Sequence, residues 1–129
     1  MIGGTSPHRH LLGPGFLLAG LGVAAGAFGA HALEGRLAAD DLAVFETAAR
    51  IHMLHALGLA LLGLAAARWP DAGWKGPGLL MLAGVAVFSG SLYALALSGI
   101  GWFGAITPVG GAALIAAWMW AAWIALNRT

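Results

Sequence analysis

The sequence predicts an all-α protein, a bundle of four transmembrane helices with an amphipathic lead-in to the second helix. Its composition is the first reason: of 129 residues, 60% are hydrophobic and only 9% are charged, whereas a soluble domain carries about 25% charged residues. The second is that the apolar residues fall into four long segments. Because so few charges cannot cover a surface that faces water, most of the surface must face lipid. The length fits a single integral membrane domain, residues 1–129.

The composition also excludes several classes of function. A net charge of +1 without any Lys/Arg cluster argues against a nucleic-acid partner. The absence of cysteine excludes disulfides, thiolate metal sites and iron–sulfur clusters. There is no dinucleotide-binding, P-loop, serine-hydrolase or HExxH motif. The sequence therefore gives no support to an enzyme, and no catalytic residue is predicted.

The first predicted crossing spans residues 11–31. Its apolar run carries no charge and is long enough to cross about 30 Å of hydrocarbon. Pro14 fits the first helical turn, where a missing N–H costs nothing. Arg9, the apolar run and Ala30-His31-Ala32 also imitate the three regions of a secretory signal peptide. The length of the run and the three apolar segments that follow favour a retained helix.

The second predicted crossing, residues 47–68, follows a polar loop. We place Asp40 as the N-cap of a helix that continues without proline to Arg68. Such a helix is about 42 Å long, which exceeds the hydrocarbon thickness of about 30 Å. Its first turns, before residue 47, form the amphipathic lead-in, which we expect to protrude or to lie in the interface.

The third and fourth predicted crossings span residues 78–98 and 108–126. Thr107 and Pro108 have the pattern of an N-cap followed by a first-turn proline, so we expect the fourth helix to begin there. Tryptophans near the segment ends, such as Trp69 and Trp102, are typical of membrane interfaces.

Small residues recur every four positions in the first and third segments. Gly22 and Gly26 form such a ridge in the first segment, and Gly90 belongs to another in the third. Small residues let two helix backbones approach closely in a membrane, so we predict that these glycines pack against other helices.

The positions of lysine and arginine predict the orientation, because these residues are enriched in cytoplasmic loops. One side of the predicted bundle carries four basic residues and the other carries two. The larger group is Arg9, Arg68, Lys75 and Arg128, and the smaller is Arg36 and Arg50. We therefore expect both termini in the cytoplasm of a bacterium, with the protein in its inner membrane.

Polar side chains within the segments fall at one depth. Counting back from residue 67 at about 1.5 Å per residue places Arg50 about 5 Å and His55 about 12 Å inside the outer boundary. Polar groups on all four segments reach this outer-leaflet layer. The candidate polar site consists of His31, Glu46, Arg50, His55, Ser91, Tyr93 and Thr107.

This layer has a structural and a functional interpretation. Glu46 and Arg50 lie about 40° apart on one face, where an ion pair offsets the cost of an arginine in a bilayer. Histidines and hydroxyls form interhelical hydrogen bonds, worth about 0.6 kcal/mol on average. No cofactor is predicted. His31 and His55 are weak candidate metal ligands, and haem, copper or a quinone remain alternatives because imidazole suits such groups.

Four strings carry a resemblance to a known family. They are Gly-Ala-Phe-Gly-Ala-His (26–31), Glu-Thr-Ala-Ala-Arg-Ile-His-Met-Leu-His (46–55), Phe-Ser-Gly-Ser-Leu-Tyr (88–93) and Ile-Thr-Pro-Val-Gly-Gly (106–111). In this order the chain resembles the YgdD/YwdK-type family of small bacterial inner-membrane proteins, which has mitochondrial relatives. The resemblance implies four membrane helices and no established activity. It also implies an aromatic residue and a glutamine where this chain has Ile51 and His52, which sets His52 outside any shared site.

The most direct functional expectation is a non-enzymatic accessory protein or small subunit of a membrane assembly. Its partners would be the lipid bilayer and either other membrane subunits or further copies of itself. The alternative is that the polar layer binds or transfers a proton, a small solute or a lipid-soluble cofactor. The sequence specifies neither a substrate, nor a partner, nor an oligomeric state.

Overall fold

The described chain, residues 6–129 of a computed structural model, contains four long helices and no strand; residues 1–5 of the predicted domain lie outside it. The helices are α1 (Arg9–Phe28), α2 (Ala39–Arg68), α3 (Lys75–Ser98) and α4 (Trp102–Asn127). A π-helical turn, Gly29–Leu33, extends α1, and a 3-10 turn, Pro70–Ala72, links α2 to α3. All four long helices have the length and apolar composition needed to cross a membrane. The predicted fold class is confirmed.

The helices pack chiefly against helices that are adjacent to them in the chain, and these neighbours are antiparallel. Gly63 near the end of α2 lies against Leu12 near the start of α1, and Gly84 of α3 lies against Leu114 of α4. One end of the bundle therefore gathers the start of α1, the end of α2, the start of α3 and the end of α4. We call it the Arg68 end. The opposite end carries loop 34–38 and turn 99–101.

Glycines form the closest approaches between helices. A Cβ atom added to Gly15 of α1 would lie 2.8 Å from the backbone nitrogen of Ala60 on α2. A Cβ atom added to Gly110 of α4 would overlap the backbone nitrogen of Phe88 on α3. Backbone atoms cannot rotate away as a side chain does, so both contacts require glycine, as expected for tightly packed membrane helices.

Two apolar clusters fill the bundle. The larger lies towards the Arg68 end and includes Leu59, Met81 and Ile124, and the smaller consists of Leu33, Phe45 and Ala96 at the other end. Between them along α2 and α3 lie four buried polar side chains: His52, His55, Ser89 and Ser91. We call this region the polar band.

The fourth helix begins earlier than predicted. It starts at Trp102, and Pro108 lies inside it, so the N-cap assignment of Thr107 was wrong. The Thr107 hydroxyl instead donates to the carbonyl of Phe103, 3.3 Å away in the preceding turn. A proline inside a membrane helix is tolerated when neighbouring groups compensate for the lost backbone hydrogen bond.

The starts of the first two helices also differ from the prediction. Ala38, not Asp40, flanks α2, and Asp40 lies in the first turn. A carboxylate there interacts favourably with the positive end of the helix dipole even without capping it. Pro14 lies inside α1, because that helix already begins at Arg9.

Candidate functional site

His52 of α2 joins three helices at the centre of the polar band. Its Nε2 atom lies 2.8 Å from the carbonyl oxygen of Leu18 on α1, and its Nδ1 atom lies 2.9 Å from the hydroxyl oxygen of Tyr93 on α3. Because a carbonyl only accepts, Nε2 carries a proton, and in the neutral tautomer Nδ1 accepts the hydrogen bond that Tyr93 donates. Both nitrogens of the imidazole are thus paired within the chain.

The ring of Tyr93 is held by aromatic contacts on both sides. Its centroid lies 5.0 Å from that of Phe45 and 6.0 Å from that of His52. These separations are in the range in which aromatic pairs attract each other. Tyr93 therefore couples the polar band to the smaller apolar cluster.

His55, one turn further along α2, is paired with the opposite tautomer. Its Nδ1 atom donates to the carbonyl of Ile51, 2.7 Å away in its own helix. Its Nε2 atom accepts from the indole N–H of Trp118 on α4, at 3.0 Å. His55 therefore connects α2 to α4.

Hydroxyl groups complete the polar band. Ser89 of α3 donates to the carbonyl of Ala48 on α2 at 2.8 Å. Ser91 of α3 and Thr107 of α4 share a hydrogen bond of 2.6 Å. All four helices are thus joined through side-chain hydrogen bonds, as the structural interpretation of the polar layer requires.

The structure divides the predicted polar site into two groups. His55 and Ser91 are buried and Tyr93 and Thr107 are half-buried, whereas the other three residues, His31, Glu46 and Arg50, are exposed. Within residues 6–129, Glu46 and Arg50 form no ion pair with each other or with any other side chain. Both histidines of α2 are buried, whereas Glu46 and Arg50 lie on the exposed side of the same helix.

The three predicted packing glycines also differ from one another. Gly22 is buried against Met53, whose terminal carbon would lie 3.0 Å from an added Cβ atom. Gly26 and Gly90 are exposed, and an added Cβ atom would meet no other atom within 4 Å. Of these three glycines, only Gly22 therefore contacts another helix within the described chain.

A groove of about 180 Å³ lies between α1 and α3 beside His52. We call it the α1–α3 groove. Almost all of its lining is apolar, although His52 and Tyr93 both border it. The lining residues are Leu18, His52, Leu82, Val85, Ala86, Ser89, Gly90 and Tyr93.

The candidate metal ligands lie apart. No group of three or more His, Asp or Glu side chains is close enough to hold a metal ion within residues 6–129. Both nitrogens of His55 are occupied by protein partners, and His31 is exposed in the π-helical turn. The structure does not bring these two residues together as a chelating site.

The four residues of the polar band fall in the part of the chain that matches a known family. Residues 25–111 match the family model described as "Protein of unknown function (DUF423)". The chain belongs to this family. The matched range contains all four strings on which the resemblance was based, so the predicted relationship to the YgdD/YwdK-type proteins is confirmed.

Curated relatives of this DUF423 protein carry membrane-protein names. It is 46% identical over 100 residues to the UPF0382 membrane protein YwdK of Bacillus subtilis, covering 77% of this chain and 81% of the relative. It is 44% identical over 106 residues to the UPF0382 membrane protein SH2409 of Staphylococcus haemolyticus, covering 81% and 85%. It is 35% identical over 96 residues to the UPF0382 inner membrane protein YgdD of Escherichia coli K12, covering 74% and 73%. No solved structure matches significantly.

These relatives and the four apolar helices identify this DUF423 protein as a small membrane protein of an uncharacterised family. None of the relatives' names contains a substrate, a cofactor or a partner. Any finer role must therefore be inferred from the molecule itself.

Replacing Thr107 by Val is expected to lower the free energy of unfolding by less than about 1 kcal/mol. The substitution removes the hydrogen bond between helices, but Ser91 keeps a second partner, the carbonyl of Phe88 at 2.9 Å. Thermal unfolding in detergent measures the effect. Thr47→Val is the control, since Thr47 bonds only to Ala43 of its own helix. A loss of several kcal/mol at Thr107 would contradict this assignment.

Proposed function

We propose that this DUF423 protein is a non-enzymatic accessory protein or small subunit of a membrane assembly, docking through the α1–α3 groove. The supporting observation is the uncovered ridge of small residues on α3. Ala86 and Gly90 are exposed beside the groove and also line it. In a membrane, an exposed ridge of small residues allows the backbone of a second helix to approach closely. Such a ridge therefore favours contact with another helix over contact with lipid.

The pairing within the polar band supports a non-enzymatic role. His52 and His55 each use both ring nitrogens for partners within the chain. A general acid or base needs a nitrogen that can reach a substrate. Neither histidine offers one in this arrangement, so the buried imidazoles serve to hold the helices together.

The chemistry of the groove favours an apolar helix as the occupant. Its lining is almost entirely apolar, which suits a transmembrane segment better than a soluble solute. Close contact along a ridge of small residues yields van der Waals attraction, and this is the main driving force for helix association in lipid. The proposed partner is a transmembrane helix of another subunit or of a second copy.

Gly90→Leu is expected to abolish association while leaving the fold intact. The leucine would fill the groove that the partner helix occupies, yet an added Cβ atom meets nothing within 4 Å in the isolated chain. The measurement is the mass of the particle purified in mild detergent, with helix content as a check of folding. Gly20→Leu is a matched control, because Gly20 is also helical, exposed and free of neighbours.

Two results would contradict this proposal. One is a wild-type protein that remains strictly monomeric with no co-purifying partner. The other is an association that Gly20→Leu and Gly90→Leu weaken equally, because the groove would then have no special part in it.

A second candidate function is binding of a lipid-soluble molecule in the same groove. The observation that favours it is that His52 and Tyr93 border an otherwise apolar space. A ring of quinone type would place its carbonyl near these groups and its tail in the lipid. Mass spectrometry of extracted small molecules and an optical spectrum of the purified protein distinguish this function from helix docking, and would reveal haem or copper as well.

The inner-membrane orientation with both termini in the cytoplasm also remains a proposal. The packing supports it, because the antiparallel order brings four basic residues to one end of the bundle. These are Arg9, Arg68, Lys75 and Arg128, at or beside the ends of the helices. A cytoplasmic Arg68 end agrees with the enrichment of basic residues on that side of bacterial membranes.

A further inference from the structure

The Arg68 end of the bundle holds a polar depression that the proposed docking function does not use. It has a volume of about 550 Å³ and, unlike the α1–α3 groove, a lining that is half polar. Its lining residues are Arg68, Trp69, Pro70, Asp71, Ala72 and Arg128. It thus combines the end of α2, the 3-10 turn and the end of α4.

Both arginines of the depression are held in place by tryptophans. The Cζ atom of Arg68 lies 5.1 Å from the ring centroid of Trp69, and that of Arg128 lies 5.0 Å from the ring centroid of Trp123. Arg128 also donates to the carbonyl of Ala72 at 3.4 Å. A guanidinium stacked on an aromatic face keeps N–H groups at its edge available for an anion.

The charges of the depression are not neutralised by one another within the part of the chain that the structure describes. In the described residues 6–129, neither Arg68 nor Arg128 has a carboxylate within 4.0 Å, although Asp71 borders the same space. The depression therefore offers two cationic groups and, separately, one anionic group. A ligand that matches this arrangement carries an anion and a cation on one small molecule.

The location of the depression indicates where such a ligand resides. Arg68 is the last residue of a helix long and apolar enough to cross a membrane, and Trp69 follows directly. Tryptophan at a helix end marks the level of the lipid headgroups, and arginines at that level attract phosphate. The depression therefore faces the layer in which phospholipid headgroups lie.

We propose that this depression binds the headgroup of a phospholipid bearing a primary ammonium, as in phosphatidylethanolamine. The guanidinium groups of Arg68 and Arg128 bind the phosphate, and the carboxylate of Asp71 accepts hydrogen bonds from the ammonium. A choline headgroup has no N–H to donate to Asp71, and a glycerol headgroup has no positive charge to pair with it. Free phosphate satisfies the arginines but leaves Asp71 facing an anion.

The experiment is a titration of the purified protein in detergent, followed by native mass spectrometry. The probes are phosphatidylethanolamine, phosphatidylglycerol and phosphatidylcholine with identical acyl chains. We expect phosphatidylethanolamine to bind most tightly. Arg68→Gln and Arg128→Gln should each weaken its binding about fivefold, the effect of about 1 kcal/mol per basic residue at a membrane surface.

Asp71→Asn tests the part of the proposal that is specific to the ammonium. It should remove the preference for phosphatidylethanolamine over phosphatidylglycerol without weakening binding of the latter, because the arginines still bind phosphate. Arg36→Gln is the matched control, since Arg36 is an exposed arginine in the loop at the opposite end. It should change nothing. Circular dichroism of each variant verifies that the helices are retained.

Three outcomes would overturn the proposal. The first is equal binding of all three lipids by the wild-type protein. The second is an equal loss in Arg36→Gln and Arg68→Gln, which would indicate attraction by overall charge. The third is displacement of the lipid by inorganic phosphate at the same concentration as by glycerophosphoethanolamine, which would indicate a site for a soluble anion. None of these results depends on whether a helix docks in the α1–α3 groove.

Discussion

Gly110→Ala is expected to lower the free energy of unfolding by about 1–3 kcal/mol, the usual effect of overpacking a tightly packed interior. The added Cβ atom would overlap the backbone nitrogen of Phe88 and lie 2.8 Å from its Cα atom. Because both are backbone atoms, relief requires α3 and α4 to move apart. That movement also strains the nearby hydrogen bond between Ser91 and Thr107.

The neighbouring Gly111 provides the control. A Cβ atom there would lie 3.6 Å from the ring of Phe88, which is an ordinary van der Waals contact. Alanine is favoured over glycine in a helix by about 1 kcal/mol. Gly111→Ala should therefore be neutral or slightly stabilising. Unfolding in detergent, followed by circular dichroism, compares the two variants, and equal stabilities would show that α3 and α4 do not pack this closely.

His52→Leu is expected to lower the free energy of unfolding by about 1–3 kcal/mol. The leucine keeps much of the apolar contact but removes both hydrogen bonds, to Leu18 and to Tyr93. The tyrosine hydroxyl then loses its acceptor beside an apolar groove, where no replacement is available within the described chain. This single substitution therefore removes the side-chain hydrogen bonds through which His52 joins α2 to α1 and α3.

His52→Gln should recover at least half of that loss. An amide presents one donating and one accepting end, as the neutral imidazole does, so it can donate to the carbonyl of Leu18 and accept from Tyr93. The same unfolding assay measures both variants. If glutamine destabilises the protein as much as leucine does, the two hydrogen bonds are not what makes His52 important.

The spacing of residues in the sequence is enough to predict the buried side of α2. This spacing was not used to place His52 in the core. Phe45, His52 and Leu59 recur every seven residues, and all three are buried. This spacing is the signal of a core-facing stripe, in which a histidine must find partners inside the bundle. The resemblance implies that His52 lies outside any shared site, yet His52 joins α2 to both α1 and α3.

The partners of the polar band could not be predicted. The acceptor for His52 is the backbone carbonyl of Leu18. Every residue has a backbone carbonyl, so the sequence does not indicate which one serves as the acceptor. Depth counting placed polar groups at one level but did not determine which ones faced each other. Arg50 and His55 were expected near the same site, yet Arg50 is exposed and His55 bonds to Trp118.

The glycine ridges also show that a sequence pattern does not determine which surfaces contact each other. The spacing of Gly22 and Gly26 predicts one continuous contact face, but only Gly22 touches another helix. A helix in a short bundle is covered only where a neighbour happens to reach, and α1 has one main neighbour, α2. The pattern therefore identifies surfaces able to pack closely, whereas the arrangement of the helices decides which of them are covered.

The antiparallel succession of neighbours has a consequence for biogenesis. Since most contacts between helices join helices that are consecutive in the chain, each new helix can pack against the one synthesised just before it. Contacts between segments that are close in sequence have a low contact order, so they form rapidly within the bilayer. The bond from His55 to Trp118, 63 residues apart in sequence, and the bond from Arg128 to Ala72 form only after α4 has been synthesised.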